Sequence, residues 1–195
     1  DGVAGTEDLG SFTSDLVFSP VLPCRIFDTR FGTGIYAGPF GGNPGTVRNY
    51  YVQSTQDVSL ADMIAQGGNP AGCPQPTRPT GVLEPVAISA NFTAVPLATK
   101  GHLRAWPFAG DQPNASFLNY NQPSDGNIAN SGIIATCYFC GYELSVSTWF
   151  GTAHSLADVM GYFYPAVTPK TEAAFNSGPP NESPLASDNL FRFVG

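Results

Sequence analysis

The sequence predicts an all-β protein, an antiparallel β-sandwich of jelly-roll or immunoglobulin-like type with extended N- and C-terminal tails. Three observations carry this expectation. Apolar residues recur at every second position over short runs, the period of a strand with one buried face. The chain holds 22 Gly and 18 Pro among 195 residues, and they cluster between those runs as turn signals. Only 12% of residues are charged while 42% are hydrophobic, with 14 Phe and 8 Tyr, so there is a core to bury.

The pattern divides the chain into an N-terminal extension (1–20), a sandwich domain (21–164) and a Pro-rich linker with a strand-like tail (165–195). Residues 1–14 are polar with little periodicity, and Leu16 to Val21 form a strand-like apolar patch. Gly32 to Gly45 hold six glycines and two prolines, a surface loop, and Val47 to Gln53 read as a strand. Ser59 to Gln66 can form a short helix, with Ser59 as N-cap and Gly67 as stop. The organising stretch is Pro85 to Pro107, read as a hairpin of two strands joined through Leu97 to Gly101. In its first strand Val86, Ile88, Ala90, Phe92 and Ala94 share one face. Further strands follow at Ser116–Tyr120, Ile128–Cys137, Tyr142–Phe150 and His154–Tyr164. In the third of these Tyr142, Leu144, Val146, Thr148 and Phe150 alternate with Glu143, Ser145, Ser147 and Trp149.

Charge and cysteines bound the function. A net charge of −7 with 8 Lys plus Arg excludes the clustered cations that nucleic acid or an anionic membrane patch requires. No apolar run reaches the roughly 18–20 residues that cross a bilayer, so no membrane insertion is expected. Four cysteines and a chain beginning at Asp1 suit a secreted or cell-surface protein after removal of a signal peptide. Cys137 and Cys140 form a CxxC between strand-like flanks, read as a staple across a hairpin rather than a zinc or thioredoxin-type site. Cys24 and Cys73 then pair and close a long loop.

In order along the chain stand PCRIFDTR, ISANFTAVP, GHLRAWP, the Asn114–Asn119 segment NASFLN, IANSGI and ADVMGYF. This succession resembles a β-rich domain of secreted and surface proteins of bacteria, with the form PCRxxDTR … LNVTxVxP … GxLTxWPxG … SxLN … AN … DxxGYF. The resemblance covers about Val21 to Tyr164 and departs from the pattern at the CxxC, a Met63-containing insert and both tails. It implies architecture and location, with no established enzymatic activity. A Cys ahead of the NVT strand in that family supports the Cys24–Cys73 pairing.

Candidate chemistry is sparse. Either histidine, His102 or His154, can be drawn with Ser155 and Asp158 as a triad, but no G-x-S-x-G turn presents a nucleophile, and Ser155 must point away from its strand neighbour His154. No enzyme activity is expected. Asp158 in an apolar strand needs a partner, and Arg25 or Arg30 in the PCRIFDTR segment, where Asp28 also lies, supplies one. A carboxylate metal site with Asp57 and Asp125 is the sharper alternative, but no calcium-loop motif supports it, and neither metal nor cofactor is expected. Asn91, Asn114 and Asn181 begin glycosylation sequons. Trp106 and Trp149 offer rings on which a glycan can stack, although core or inter-sheet packing is the stronger reading of either.

Two functions remain. One is a self-assembling structural subunit of a bacterial surface filament, fibre or sheath, whose partners are copies of itself. The other is a carbohydrate-binding module or adhesin. For assembly, Leu190, Phe191, Phe193 and Val194 form an apolar terminal strand, and Phe12, Leu16 and Phe18 form a second such segment. Either can satisfy its backbone by joining a neighbour's sheet edge.

Overall fold

The computed structural model describes residues 16–41, 45–53, 60–73, 76, 84–137 and 140–165. Their strands are β1 (Leu16–Asp28), β2 (Val47–Tyr50), β3 (Ala87–Pro96), β4 (Gly101–Pro107), β5 (Leu118–Tyr120), β6 (Ile128–Ala135), β7 (Leu144–Trp149) and β8 (Ala153–Pro165). A short helix, α1 (Leu60–Ala65), lies between β2 and β3. Two four-stranded antiparallel sheets result, ordered β1-β8-β3-β6 and β2-β7-β4-β5. Strand numbers within the pairs β1·β8, β2·β7, β3·β6 and β4·β5 each sum to nine. The first four strands therefore run against the last four as one long folded ribbon, and wrapping that ribbon gives an eight-stranded jelly roll.

This topology confirms the all-β sandwich and corrects its proposed centre. β3 and β4 do not form a hairpin. β3 is paired on both sides, with β6 and β8, while β4 sits in the opposite sheet between β5 and β7. The connection crosses from one sheet to the other, anchored where the Leu97 N–H donates to the Thr152 carbonyl at 2.8 Å. The alternation itself holds. Ile88, Ala90, Phe92 and Ala94 are fully enclosed, and the residues between them are half-buried or less completely covered.

Both sheets turn their apolar faces to one core. Phe27 of β1 stacks on Tyr50 of β2 across the sandwich, with centroids 3.9 Å apart, and Phe92 meets Phe27 and Phe117 edge-on. Leu103, Leu144, Val146 and Val159 fill the space around them. In β7 the inward residues Leu144 and Val146 alternate with Ser145 and Ser147 as predicted. Both serines are nevertheless buried, because Ser145 Oγ donates to Asn49 Oδ1 (2.9 Å) and Gln112 Nε2 donates to Ser147 Oγ (2.8 Å).

The compact body begins at Leu16, earlier than the sequence pattern places it. Leu16–Pro20 pair with Gly161–Pro165 of the same chain as the first part of β1. Phe18 lies on Phe163 at 4.8 Å, and its ring occupies the space a side chain at Gly161 would need. Leu16 and Phe18 thus serve their own sheet instead of forming a free terminal segment. Phe12, Leu190, Phe191, Phe193, Val194, Asn181, Asp57 and the proposed cap Ser59 lie outside the described residues.

Helix α1 ends as expected. Gly67 adopts φ +77° and donates to the Ile64 carbonyl, and a side chain there would collide with the Asp28 carbonyl. Both disulfides are present, Cys24–Cys73 and Cys137–Cys140. The second spans the crossover from β6 to β7, which belong to different sheets, so it is not the hairpin staple predicted. The first binds the segment after α1 to β1. With a sequence separation of 49 between its cysteines, replacing both Cys24 and Cys73 by Ser should cost about 4 kcal/mol, measured as a lowered urea midpoint with a steeper slope because the unfolded chain is no longer cross-linked. Replacing Cys137 and Cys140 should cost roughly half as much by the same loop-closure reasoning.

Candidate functional site

The PCRIFDTR segment builds an ionic cluster at the β1–β8 seam. Antiparallel pairing sets Arg25 opposite Asp158, and a register shift between Arg25 and Phe27 brings Arg25 to Asp28 as well. Arg25 donates to Asp158 through Nε (2.6 Å) and Nη2 (3.1 Å), a bidentate pair, and through Nη1 to Asp28 Oδ2 (2.7 Å). Arg30 turns to Asp28, donating from Nε (2.9 Å), Nη2 (2.6 Å) and its backbone N–H (3.0 Å). Of the two arginines offered as partners of Asp158, Arg25 takes that role and Arg30 does not.

Asp28 is fully enclosed, and burial alone would raise its pKa. The Arg30 hydrogen bonds and the charges of Arg30 and Arg25 outweigh that cost and hold it below the ordinary carboxylate range. With each carboxylate oxygen accepting from a guanidinium, the cluster is a structural clamp.

The drawn triad is not assembled. His154 Nδ1 lies 3.0 Å from Thr29 Oγ1, which also accepts the Ser155 N–H at 3.0 Å. Ser155 faces the interior and is fully buried, on the opposite face from His154. Burial pushes the His154 pKa down, against the pull of Asp28. His102 lies on the other sheet, where burial and Arg104 lower its pKa, and Arg104 Nε donates to its Nε2 at 3.1 Å. Asp125 sits in an exposed one-turn helix, Pro123–Asp125. Among the described residues no cluster of three or more His, Cys, Asp or Glu can hold a metal.

The outer face of the β2-β7-β4-β5 sheet carries aromatic and polar residues in rows. Registers place Asn119, His102 and Trp149 side by side, then Arg104 beside Ser147, then Trp106 beside Ser145. Gln112 brings the loop after β4 to this face, and Trp106 is buried there. Trp149 is half-buried, with the Arg104 guanidinium 4.6 Å from its ring centre. Phe150 follows at φ +69°, a left-handed conformation costing about 1–2 kcal/mol for a residue with a side chain. The neighbouring Gly151 cannot carry a side chain, since one would meet the Thr99 carbonyl and the Tyr120 ring.

Of the sequons, Asn114 is exposed. Asn91 is half-buried in β3, between Asp158 and Ser131 in register, and accepts a hydrogen bond from Ser131 Oγ at 3.0 Å.

The least expected feature is β6, IANSGIIA, eight residues without charge or proline at the end of its sheet. The Thr136 N–H donates to the Val86 carbonyl at 2.9 Å, which fixes the phase of the β3–β6 ladder. Ile128, Asn130, Gly132 and Ile134 bond inward to β3, while Ala129, Ser131, Ile133 and Ala135 turn their N–H and C=O groups outward. Among the described residues no backbone group pairs with that outward row. Other edges are short, partly covered, or, in the first half of β1, interrupted by Pro20 and Pro23. β2 and β5 have four and three residues. The latter half of β1 is covered, as Gln66 O accepts from Asp28 N–H, Arg25 O accepts from Asn69 N–H, and Cys24 is bonded to Cys73.

No protein-family model, curated protein or solved structure matches this chain.

Sequence reasoning also missed Glu143, which is buried with Oε2 accepting the Val52 N–H at 3.0 Å. Burial, aided by the charge of Glu84, raises its pKa from 4.5 to about 7. Between these values the native state keeps a proton that the unfolded chain releases, so this group's contribution favours folding below the lower value and declines as pH rises through the upper one. Glu143→Gln keeps an acceptor for Val52 without the charge. It should raise stability at pH 8 by about 3 kcal/mol and change little at pH 4, read from paired urea melts.

Proposed function

We propose that this chain is a structural extracellular protein, a self-assembling subunit of a bacterial surface filament, fibre or sheath, joined by terminal strand addition. The observation that carries the reading is the open edge of β6. Its four outward backbone pairs have no charged or proline gatekeeper, and Ile133 is 65% exposed. A monomer that stays apart from its copies normally blunts such an edge. Two disulfides support an oxidising location, and the motif resemblance to bacterial surface domains points the same way.

The donor is the terminal segment Leu190–Val194, with the segment around Phe12 as the other choice. An extended strand laid on β6 pairs its backbone with Ala129, Ser131, Ile133 and Ala135. Phe191 and Phe193 fall on one face of it, and burying both contributes roughly 3–6 kcal/mol per junction. A tail that joins the next copy makes a head-to-tail contact, and a contact of that kind grows into an open filament when its rotation does not close a ring. A structural role also suits the chemistry, because Ser155 is enclosed and both histidines are held by Thr29 or Arg104.

Ile133→Lys places a charge on the edge without touching the ladder to β3. It should leave folding stability within about 0.5 kcal/mol and abolish polymer, seen by sedimentation and electron microscopy. Deleting 189–195 should have the same effect if Leu190–Val194 is the donor. A polymer unchanged by both alterations contradicts the reading.

A further inference from the structure

A second surface lies at the end of the other sheet, where β4 and β5 meet the turn after β7, and extends onto the β5–β6 connection. A cleft of about 270 Å³ is lined there by Lys100, His102, Asn119, Asn121 and Phe150. A shallower depression of about 410 Å³ adjoins it, sharing Lys100 and Asn121 and adding Gln122 and Asp125. We propose that this continuous depression binds a neutral hexose polymer, with Phe150 as the stacking platform. The proposal is independent of assembly.

Three features converge on it. Phe150 is 63% exposed and holds a left-handed backbone, although glycine or asparagine would take that conformation with less strain. The core gains nothing from the ring, yet its position is defined. His102 and Trp149 meet it edge-on at 5.8 and 6.1 Å, leaving the ring standing beside the cleft. A strained, exposed and oriented aromatic is what a binding site retains and packing alone would discard.

The polar lining then selects the ligand class. Asn119, Asn121 and Gln122 each pair a carbonyl acceptor with an amide donor, the complement of adjacent sugar hydroxyls, and Asp125 adds acceptors. A pyranose ring offers an apolar C–H face to Phe150 while its hydroxyls point sideways toward those groups. Charge excludes the acidic polymers. Among the described residues Lys100 is the one Lys or Arg lining the depression, Asp125 belongs to the same lining, and the chain carries a net −7. Arg104 is committed to the Trp149 ring and to His102. Asn119 sits opposite His102 in the β4–β5 ladder, so strand pairing, not a loose loop, fixes one wall of the site.

The test is calorimetric titration of the full chain with four neutral hexaoses (cello-, malto-, manno- and laminari-) and with hexagalacturonate. At least one neutral hexaose should bind with a Kd at or below about 1 mM. Phe150→Asn should weaken that binding at least about tenfold while the thermal midpoint stays the same or rises. Asn121→Ala should weaken it about fivefold by removing hydroxyl contacts, and it decides the matter if Phe150→Asn fails to fold. Binding of none of the neutral hexaoses overturns the proposal. So does binding of hexagalacturonate alone, or binding that survives both substitutions.

Discussion

Asp28 is a carboxylate with no exposure to water, and the rest of the fold is arranged around keeping it paired. A buried ion without partners costs several kcal/mol, so the two arginines on either side of it in sequence are required. Arg25 answers two acids at once, Asp28 on its own strand and Asp158 on β8, and thereby locks the β1–β8 register. The Asp28 backbone N–H meets the carbonyl of Gln66, while the Gln66 side chain donates to the carbonyls of Ile26 and Tyr51. One short segment therefore ties together the outer strand, the strand beside it and the chain that follows α1.

That concentration of contacts leaves the sheet asymmetric. The latter half of the β1 edge has a disulfide and the backbone of the segment after α1 against it, whereas among the described residues no backbone group pairs with the outward row of β6. In the opposite sheet brevity protects both edges, since neither β2 nor β5 is long enough to template another strand. A jelly roll by itself implies no activity, because the fold hosts many unrelated functions. What distinguishes this one is where it spends protection and where it leaves backbone groups open. The proposed assembly edge on β6 and the proposed sugar site beside Phe150 draw on different residues, so a polymer built through β6 would display the second site repeatedly along its length.

Much of this was legible in the residues. Strict alternation from Ile88 to Ala94 announced a strand with one enclosed face, and the spacing of the cysteines matched two bridges. The need of Asp158 for a cation was readable from its apolar neighbours, but the choice of Arg25 over Arg30 depends on a local register shift that alternation cannot reveal. The β3–β4 hairpin was misread because a short polar connection looks the same whether the chain turns back on itself or crosses to a second sheet. Leu16–Pro20 read as a strand-like patch outside the domain because its partner, Gly161–Pro165, lies nearly the whole domain away in sequence. Phe150 gave no local signal, since nothing in the flanking residues Trp149 and Gly151 marks a left-handed backbone at an aromatic. The bareness of β6, by contrast, was available in IANSGIIA to any reader asking where the charges and prolines were missing.

Amide hydrogen exchange on β6, compared between assembled and dispersed protein, tests the central claim most directly. The inward amides of Ile128, Asn130, Gly132 and Ile134 are bonded to β3 and should be protected in both states. The outward amides of Ala129, Ser131, Ile133 and Ala135 should exchange rapidly when the protein is dispersed and become protected on assembly. Equal exchange of those four amides in the two states would mean that no strand is added at this edge, and assembly through β6 would be contradicted.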